Sequence, residues 1–305
     1  MILGVDIGGT AAKMAFVDRE GHIGTRYEVS TCIDHYAVPV IDAVSEGIKR
    51  FLEKTDGQPE GIAVSAAGQI DAESGTVIGT NGMIPGYEGT KIAEILSARF
   101  GVPVTAINDA DAAVLGECFA GKAGGKQNVI LLTLGTGVGG GIVAGGKLYG
   151  GNRGIAGEFG HFTLYADGMT CTCGRKGCYE CYASTSALVR NANESTGENG
   201  LNGKVIFERA ENGDREMLAV LDRWTDDIAA GISGLVHIFA PETVLIGGGV
   251  SVQEKLLIEP LRAKVLPQLM PRFAEGLNIE AAMLGNDAGI IGAAAYWLTK
   301  FKTED

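Results

Sequence analysis

One short pattern occurs twice in the chain and restricts its possible folds more than any other feature. It consists of an apolar strand, a turn of glycine and threonine, and a returning strand, written VDIGGTAAKMAFVD from Val5 and LTLGTGVGGGIVAGG from Leu132. In register, Asp6–Thr10 aligns with Thr133–Gly137. One copy in each half predicts two similar domains that face each other across a cleft, although so short a glycine-rich pattern also arises by chance.

The segments between and after the two copies alternate between strand and helix patterns. The predicted strands are Gly61–Ala66, Val102–Ile107 and Thr243–Ile246, and the predicted helices are Ile92–Phe100, Ala110–Phe119, Asp222–Phe239 and Val252–Leu269. This alternation predicts an α/β fold. We expect an N-terminal domain over residues 1–120 and a C-terminal domain over residues 121–287, with Gly121–Gln127 as their connection.

The charge of the chain limits the class of its partners. It has 37 acidic and 25 basic residues, a net charge of −12, and no block of lysine and arginine. Such a surface repels nucleic acid and anionic lipid, so we expect neither as a partner. The longest apolar runs are strand-sized, whereas a membrane-spanning helix needs ~20 apolar residues. Because no signal peptide is recognisable at the N-terminus, we expect a cytoplasmic protein.

Both glycine turns have the composition of an anion-binding site. Glycine lets backbone N–H groups converge on one point without side chains in the way, and threonine adds a hydroxyl donor. The candidate phosphate-binding residues are Gly8, Gly9, Thr10 and Lys13 at the first turn and Gly135, Thr136 and Gly137 at the second. Two such turns could hold the β- and γ-phosphates of a nucleoside triphosphate between them. The alternative is that both are only tight hairpin turns.

Two common nucleotide-binding motifs do not fit this chain. The string from Gly135 to Gly140 matches G-x-G-x-x-G, but a dinucleotide fingerprint must open a helix. The residues that follow are glycine and β-branched and open a strand, and no G-x-x-x-x-G-K-[ST] string occurs. A third glycine run, Gly247, Gly248 and Gly249, follows an apolar strand and could let a flat base or a ribose lie against the backbone.

Carboxylates lie near the ends of two predicted strands. Asp6 precedes the first turn, where it could hold Mg²⁺ through water or bond its own turn. Asn108 and Asp109 lie where strand Val102–Ile107 gives way to a helix, and the C-terminal strand ends of an open α/β sheet line its ligand crevice. Asp109 could accept the proton of a hydroxyl that attacks the γ-phosphorus, or either residue could cap the helix. Asp111 is a second, weaker candidate for the base.

A group of one histidine and three cysteines has the spacing of a metal site. The candidate ligands are His161, Cys171, Cys173 and Cys178. Three thiolates and one imidazole suit a closed, tetrahedral Zn²⁺ site of the structural kind, and Cys181 could replace His161 as the fourth ligand. Glu158 and Glu180 flank this loop, where they could accept hydrogen bonds from sugar hydroxyls or remain solvated.

Taken in order, these strings resemble the ROK family of sugar kinases, open reading frames and repressors, within the hexokinase–actin–heat-shock ATPase superfamily. The matching strings are VDIGGT, INDAD, LTLGTGVGGGI, GEFGH, CTCGRKGCYE and VLIGGGVS. The cysteine string with the upstream Gly-His pair is specific to the family, and the resemblance covers nearly the whole chain. It implies two ribonuclease-H-like, actin-like ATPase domains around a central cleft that closes on sugar and Mg·ATP. It also implies a final helix, about residues 288–305, that packs back on the N-terminal domain.

The resemblance further implies roles for single residues, with Asp109 as the general base. The implied sugar ligands are Gly68, Asn81, Asn108, Asp109, Glu158, His161 and Glu180, of which His161 also binds zinc. Two positions depart from the family pattern. Lys13 stands two residues later than the lysine of many members, and Met83 stands where many members have the asparagine that precedes Pro-Gly-aromatic, which leaves Asn81 as the nearest asparagine.

We therefore predict an ATP-dependent hexose kinase that transfers the γ-phosphoryl group of Mg·ATP, with glucose and its 6-hydroxyl as acceptor. The alternative acceptors are N-acetylmannosamine, N-acetylglucosamine, fructose, allose and a β-glucoside. An alternative of another class is a sugar-sensing protein without turnover; Asp109, both turn strings and the start of the chain at the first phosphate strand, with no DNA-binding segment before it, favour the kinase. We also expect a structural Zn²⁺ and a homodimer or homotetramer.

Overall fold

The computed structural model describes residues 1–80, 82 and 84–301, and its strands form two five-stranded sheets and one hairpin. In chain order the strands are β1 (Ile2–Ile7), β2 (Ala11–Val17), β3 (Ile23–Ser30), β4 (Gly61–Ala66), β5 (Gln69–Asp71), β6 (Thr76–Gly79), β7 (Val104–Asn108), β8 (Val129–Leu134), β9 (Val138–Ala144), β10 (Lys147–Leu148), β11 (Thr243–Gly247) and β12 (Asn278–Ala281). The N-terminal sheet has the order β3-β2-β1-β4-β7, the C-terminal sheet has the order β10-β9-β8-β11-β12, and β5 pairs with β6.

The two sheets repeat one topology. In the N-terminal sheet β1 is antiparallel to β2 and parallel to β4, and β4 is parallel to β7. In the C-terminal sheet β8 is antiparallel to β9 and parallel to β11, and β11 is parallel to β12. Each glycine string forms the hairpin at the same place in its sheet. The duplication suggested by the two strings is therefore present in the fold, and the glycines after Thr136 open strand β9 rather than a helix, as predicted.

Helices cover the sheets and enclose the apolar core. In chain order they are α1 (Val40–Thr55), α2 (Ile92–Phe100), α3 (Asp109–Ala120), α4 (Glu180–Ala183), α5 (Thr185–Thr196), α6 (Gly203–Glu211), α7 (Arg215–Phe239), α8 (Glu259–Val265), α9 (Pro271–Ala274) and α10 (Ala288–Phe301). One buried cluster joins the N-terminal sheet to α1 and α2, and a larger one joins the C-terminal sheet to α5 through α8. No helix of the described ranges is both long and apolar enough to cross a membrane.

Helices α3 and α10 cross at close range because glycines lie at their contact. A methyl group at Gly292 would collide with the carbonyl oxygen of Ala112, and one at Gly116 would collide with that of Ala288. Helix α10 also packs Trp297 and other apolar side chains against β1, β2 and β4. The start of α3, where Asp109 lies, is thereby held against the N-terminal sheet. Residues 302–305, part of the predicted final helix, lie outside the described residues.

Two helix predictions differ from the structure. The helix predicted over Asp222–Phe239 begins at Arg215, because the side chain of Asp214 accepts hydrogen bonds from the first-turn N–H groups. The continuous helix predicted over Val252–Leu269 is wrong. That segment contains a π-helical turn over Glu254–Ile258, then α8 and a short 3-10 helix, and each of the latter two has proline as its second residue. Proline lacks an N–H group and interrupts a continuous helix, although apolar periodicity survives the break.

Candidate active site

The first glycine turn joins β1 to β2 and leaves two backbone donors free. The N–H of Gly8 donates to the carbonyl oxygen of Ala11 (2.9 Å) and closes the turn. Within the described part of the chain, no group accepts a hydrogen bond from the N–H of Gly9 or Thr10. A methyl group at Gly9 would meet no atom within 4 Å, so the space in front of the turn is open. The available donors of this turn are therefore Gly9 and Thr10 rather than Gly8.

The second glycine turn joins β8 to β9 and has the same arrangement. The N–H of Gly135 donates to the carbonyl oxygen of Gly137 (3.0 Å). In the described residues the N–H groups of Thr136 and Gly137 have no acceptor, and a methyl group at Gly135 would also meet no atom within 4 Å. Unpaired N–H groups at an open turn are suited to anions.

Asp6 lies on β1 opposite Lys13 of β2, beside the first turn. Its Oδ1 accepts a hydrogen bond from the buried Ser65 hydroxyl (2.7 Å) of the neighbouring strand β4. Burial raises the pKa of Asp6, while the Ser65 hydrogen bond and the charge of Lys13 oppose that rise. The hydrogen bond of Asp6 therefore runs to the neighbouring strand, and among the described residues Asp6 has no hydrogen bond to its own turn, a role that the sequence left open. Lys13 lies where its charge offsets that of Asp6.

The structure separates the two roles considered for Asn108 and Asp109. Asn108 caps α3, because its side-chain oxygen accepts from the N–H groups of Ala110 (2.8 Å) and Asp111 (3.3 Å). Asp109 remains accessible to solvent at the C-terminal end of β7, and its Oδ1 accepts from the Ala110 N–H (2.9 Å). Desolvation by the surrounding protein, followed by the negative charge of Asp6, raises the pKa of Asp109 to about 6. Such a carboxylate can take up a proton near neutral pH.

Two further groups near Asp109 are buried. Asp111 is 2% exposed, and its Oδ1 has no hydrogen-bond partner among the described residues. Burial, followed by the charges of Asp109 and Glu158, raises the pKa of Asp111 to about 8. The hydroxyl of Tyr87 is also buried, and burial with the charges of Asp109 and Asp6 raises its pKa. Tyr87 was not predicted as a site residue, although it is the aromatic residue of the Pro-Gly-Tyr string.

Several predicted sugar ligands come together beside Asp109. The side-chain amide of Asn108 donates to the carbonyl oxygen of Gly68 (2.8 Å), which joins the strand end to the start of the β5–β6 hairpin. The amide of Gln69 donates to a carboxylate oxygen of Glu158 (3.2 Å), which follows the C-terminal hairpin. This bond brings Glu158 to the same side of the molecule as Gly68. The predicted ligand Asn81 lies outside the described residues.

The structure brings together the four side chains whose spacing predicted a metal site. One ligand atom each from His161, Cys171, Cys173 and Cys178 lies within 4.8 Å of the others, whereas Cys181 is outside this group. Two of these pairs are close, with 3.7 Å between Cys171 Sγ and His161 Nδ1 and 3.6 Å between the Sγ atoms of Cys173 and Cys178. Three thiols and one imidazole at this separation fit a tetrahedral zinc ion.

Glu180 connects the cysteine group to the second glycine turn. One carboxylate oxygen lies 3.0 Å from Cys171 Sγ and 3.7 Å from His161 Nδ1. The side chain also lies against Gly137, where an added methyl group would approach it to 2.6 Å. The group that can hold a metal, a predicted sugar ligand and a predicted phosphate turn are therefore in direct contact.

A cavity of about 720 Å³ opens beside the second turn. It is lined by Gly135, Thr136, Thr185, Val189, Asn193 and Leu201, among others, and by Gly249. Of the predicted glycines Gly247, Gly248 and Gly249, only Gly249 lines this cavity; Gly248 instead packs against the backbone of Leu134. The contribution of α5 was not predicted, because its residues show only ordinary helical periodicity. A concave site of this volume is large enough for a nucleoside.

Comparison with known proteins identifies the group to which this site belongs. A model of the ROK family matches residues 2–300. The chain belongs to the ROK family. It is 35% identical over 308 residues to a glucokinase of Thermotoga maritima, with 96% of each chain covered. It is 33% identical over 297 residues to an N-acetylmannosamine kinase of Haemophilus influenzae, with 97% of this chain and 94% of that protein covered.

A solved structure extends the likeness to three dimensions. The ROK family glucokinase of Streptomyces griseus, in complex with glucose and AMPPNP, has 34% sequence identity and a TM-score of 0.82. The match covers 97% of this chain and 98% of that one. The chain thus shares the fold of ROK sugar kinases over nearly its whole length.

Proposed function

We propose that this ROK protein transfers the γ-phosphoryl group of ATP to a hydroxyl group of a hexose, with glucose as its primary substrate and the 6-hydroxyl as acceptor. The observation that carries the proposal is Asp109, an accessible carboxylate with a pKa of about 6 at a strand end beside the first of two open glycine turns. The full-length similarity to glucokinases supports the same reaction.

In this reaction Asp109 accepts the proton of the sugar hydroxyl as that oxygen attacks the γ-phosphorus. The bond between the γ-phosphorus and the bridging oxygen breaks, and ADP leaves. Phosphoryl transfer depends mainly on positioning and on neutralising phosphate charge, to which a general base adds typically 10²–10⁴-fold. The alternative class, a sugar sensor without turnover, does not need a carboxylate poised near neutral pH.

The two turns are the proposed binding site for the phosphate chain of ATP. Gly9 and Thr10 would donate from one side, and Thr136 and Gly137 from the other. Mg²⁺, when bound with ATP, would supply charge neutralisation on the phosphates, and Asp6 is the residue that would hold it through water. The cavity beside Thr136 would take the adenosine, with Gly249 as the one glycine of its run at the wall.

Sugar recognition is assigned to Asn108, Asp109, Glu158, His161 and Glu180. The backbone of Gly68 and, outside the described residues, Asn81 complete the proposed set. Zn²⁺ would be held by His161 and the three cysteines, and would supply order to the loop that carries Glu180. Ordered acceptors matter because a site that hydrogen-bonds hydroxyl groups strongly rejects analogues that leave those groups unpaired.

The experiment that tests the function is an ADP-release assay over a hexose panel at saturating Mg·ATP. We expect the highest kcat/KM with glucose, because the T. maritima and S. griseus relatives are glucokinases. The 33% identity to an N-acetylmannosamine kinase makes that sugar the second candidate. A higher kcat/KM with N-acetylmannosamine than with glucose would show that N-acetylmannosamine is the primary substrate. Sugar binding without turnover on any sugar would show that the protein is a sugar sensor and not a kinase.

We also propose a cytoplasmic homodimer or homotetramer, in which residues 1–120 and 121–287 act as two domains that close on the substrates. The two largest core clusters, one against each sheet, and the repeated sheets support the division. Light scattering of the purified protein measures the mass against the 31.7 kDa of one chain.

A further inference from the structure

The carbonyl groups of the first glycine turn, and not only its N–H groups, have specific partners. The carbonyl oxygen of Gly8 accepts from the Thr31 hydroxyl (3.1 Å). The carbonyl oxygen of Gly9 accepts from the same hydroxyl (3.0 Å) and from the Tyr36 hydroxyl (2.8 Å). The carbonyl oxygen of Thr10 accepts from the N–H of Thr31 (3.0 Å). The Ser30 hydroxyl also donates to the Thr10 carbonyl (3.4 Å), so all of these partners come from the end of β3 and the segment that follows it.

These bonds determine where the free N–H groups point. In a planar trans peptide, the C=O of one residue and the N–H of the next point in opposite directions. The described peptide bonds include no cis bond. Because the carbonyls of Gly8 and Gly9 point toward Thr31, the N–H groups of Gly9 and Thr10 point away from it. These are the two donors that have no acceptor within the described residues, so the hydroxyls orient the donors without touching the anion.

Two hydroxyls are needed for this arrangement. The Thr31 hydroxyl carries one hydrogen and cannot fully satisfy the carbonyls of both Gly8 and Gly9, and Tyr36 supplies the second. Thr31 is completely buried, and an unsatisfied carbonyl next to it would be costly. A carbonyl turned instead toward the open side would place its partial negative charge in front of a phosphate.

The backbone before Tyr36 supports a specific role for this segment. Asp34, His35 and Tyr36 have φ values of 45°, 54° and 66°, three successive residues in the left-handed region without a glycine. Such a conformation is unfavourable for a residue with a side chain and persists only where the surrounding structure determines it. Here it places the Tyr36 hydroxyl on Gly9.

We infer that Thr31 and Tyr36 are positioning residues for phosphate binding, whose hydroxyls hold the Gly8–Gly9 and Gly9–Thr10 peptides with their N–H groups toward the nucleotide. The inference rests on the proposed function in taking the anion to be the phosphate chain of Mg·ATP. The residues act through the turn and do not contact substrate.

The test compares Thr31→Val, Thr31→Ser and Tyr36→Phe with wild type by titration calorimetry. The probes are Mg·AMPPNP with saturating glucose, and glucose alone. We expect Thr31→Val to weaken Mg·AMPPNP about 10-fold and Tyr36→Phe about 3–10-fold, the scale of one lost hydrogen bond. Thr31→Ser, which keeps the hydroxyl, should bind within about 2-fold of wild type, and the affinity for glucose should be unchanged in all three variants.

A matched control is Thr225→Val in α7. Thr225 is 1% exposed, and its hydroxyl also bonds two backbone carbonyls, those of Leu221 (2.9 Å) and Asp222 (2.8 Å), neither of which belongs to a glycine turn. It should leave Mg·AMPPNP affinity unchanged. Mg·AMPPNP affinity within 2-fold of wild type in Thr31→Val, or an equal loss of glucose affinity, would overturn the inference.

If Thr31→Val does not fold, Tyr36→Phe decides, because it removes only one hydroxyl from a half-buried ring, and unchanged nucleotide affinity in it refutes the inference. A different result would contradict the proposed function: the wild-type protein would bind Mg·AMPPNP but phosphorylate no sugar. In that case the Thr31 comparison would still test the role of Thr31 in nucleotide binding.

Discussion

The two glycine turns have the same hydrogen-bonding plan and different surroundings. In each, the first glycine N–H closes the turn and the next two remain free. In the second turn Thr185 has part of the role that Thr31 and Tyr36 have in the first. Its N–H donates to the Gly135 carbonyl (2.9 Å), so the free N–H of Thr136 points away from it, and its hydroxyl donates to the Leu134 carbonyl (3.2 Å). Two unrelated segments thus hold the carbonyl groups of equivalent turns, one from a loop after a strand and one from the start of a helix.

The different surroundings of the two turns suit them to different proposed roles. The first turn lies beside the carboxylates of Asp6 and Asp109, whose pKa values are raised by desolvation. The second turn opens on the cavity of about 720 Å³ and touches Glu180 of the cysteine loop. Duplication explains the shared backbone, and the side chains placed around it explain the difference. We therefore expect substitution of the carboxylates beside the first turn to change the chemical step, and variants of either glycine turn to change nucleotide binding.

The largest effect is expected at the reacting carboxylate. Asp109→Asn keeps the size of the side chain but removes the base, so kcat should fall roughly 10²–10⁴-fold while glucose affinity stays near that of wild type. ADP release measures the first, and calorimetry with glucose measures the second. In wild type, kcat/KM should fall as the pH drops through about 6, because the protonated carboxyl cannot accept a proton.

Glu53→Gln on α1 is the control for removing a negative charge, because Glu53 is exposed and its helix carries none of the predicted site residues. It should leave kcat unchanged. Near-wild-type turnover in Asp109→Asn would remove Asp109 from the role of base and with it the chemical half of the comparison.

A second prediction concerns the proposed zinc site, which lies beside the second turn. Cys178→Ser, or removal of metal with a chelator, should lower the melting temperature by roughly 5–15 °C and weaken glucose binding, because the loop that carries Glu180 loses its order. Cys118→Ser on α3 removes a thiol outside the group of four and controls for the substitution itself. Unchanged melting of metal-free protein would show that the four side chains do not form a structural site.

A third prediction tests the turns directly against each other. Because an added methyl group at Gly9 or Gly135 would meet no protein atom within 4 Å, alanine there should leave the melting temperature near that of wild type. The methyl group would instead occupy the space in front of the free N–H groups. KM for ATP should rise roughly 10-fold in each variant, or about 1.4 kcal/mol.

Gly248→Ala provides the contrast for this pair. Gly248 has φ of 93°, and its added methyl group would collide with the backbone of Leu134, so this variant should lose stability as well. If only one of Gly9→Ala and Gly135→Ala raised KM for ATP, the turns would not share the phosphate chain.

The sequence predicts the parts of this molecule that depend on short strings. The paired glycine strings led to both hairpins, and the cysteine spacing led to the group around Cys178, because each is encoded within a few consecutive residues. The end of β7 was also located closely enough to single out Asp109. In all of these cases the chemistry and its backbone setting are neighbours in the chain.

The unpredicted parts depend on contacts between distant segments. Thr31 lies 23 residues from Gly8, and nothing in its surroundings in the sequence marks it as a partner of the first turn. The cavity wall on α5, with Val189 and Asn193, belongs to an ordinary amphipathic helix. Such roles are set by how elements pack, and periodicity reports only which face of a helix is apolar.

The smallest expected effect concerns Asp111, the buried carboxyl near Asp109. Its folded pKa of about 8 is above its ordinary value of 3.8, so the folded state retains a proton that the unfolded chain releases. Stability from this group is complete below about pH 4 and is lost as the pH rises toward 8. Asp111→Asn cannot ionise and should melt a few degrees above wild type at pH 8, roughly 3–10 °C, with the gap closing toward pH 4. Thermal melting from pH 4 to 8 measures this gap, and a gap that stays constant with pH would mean that burial of the Asp111 charge is not its cause.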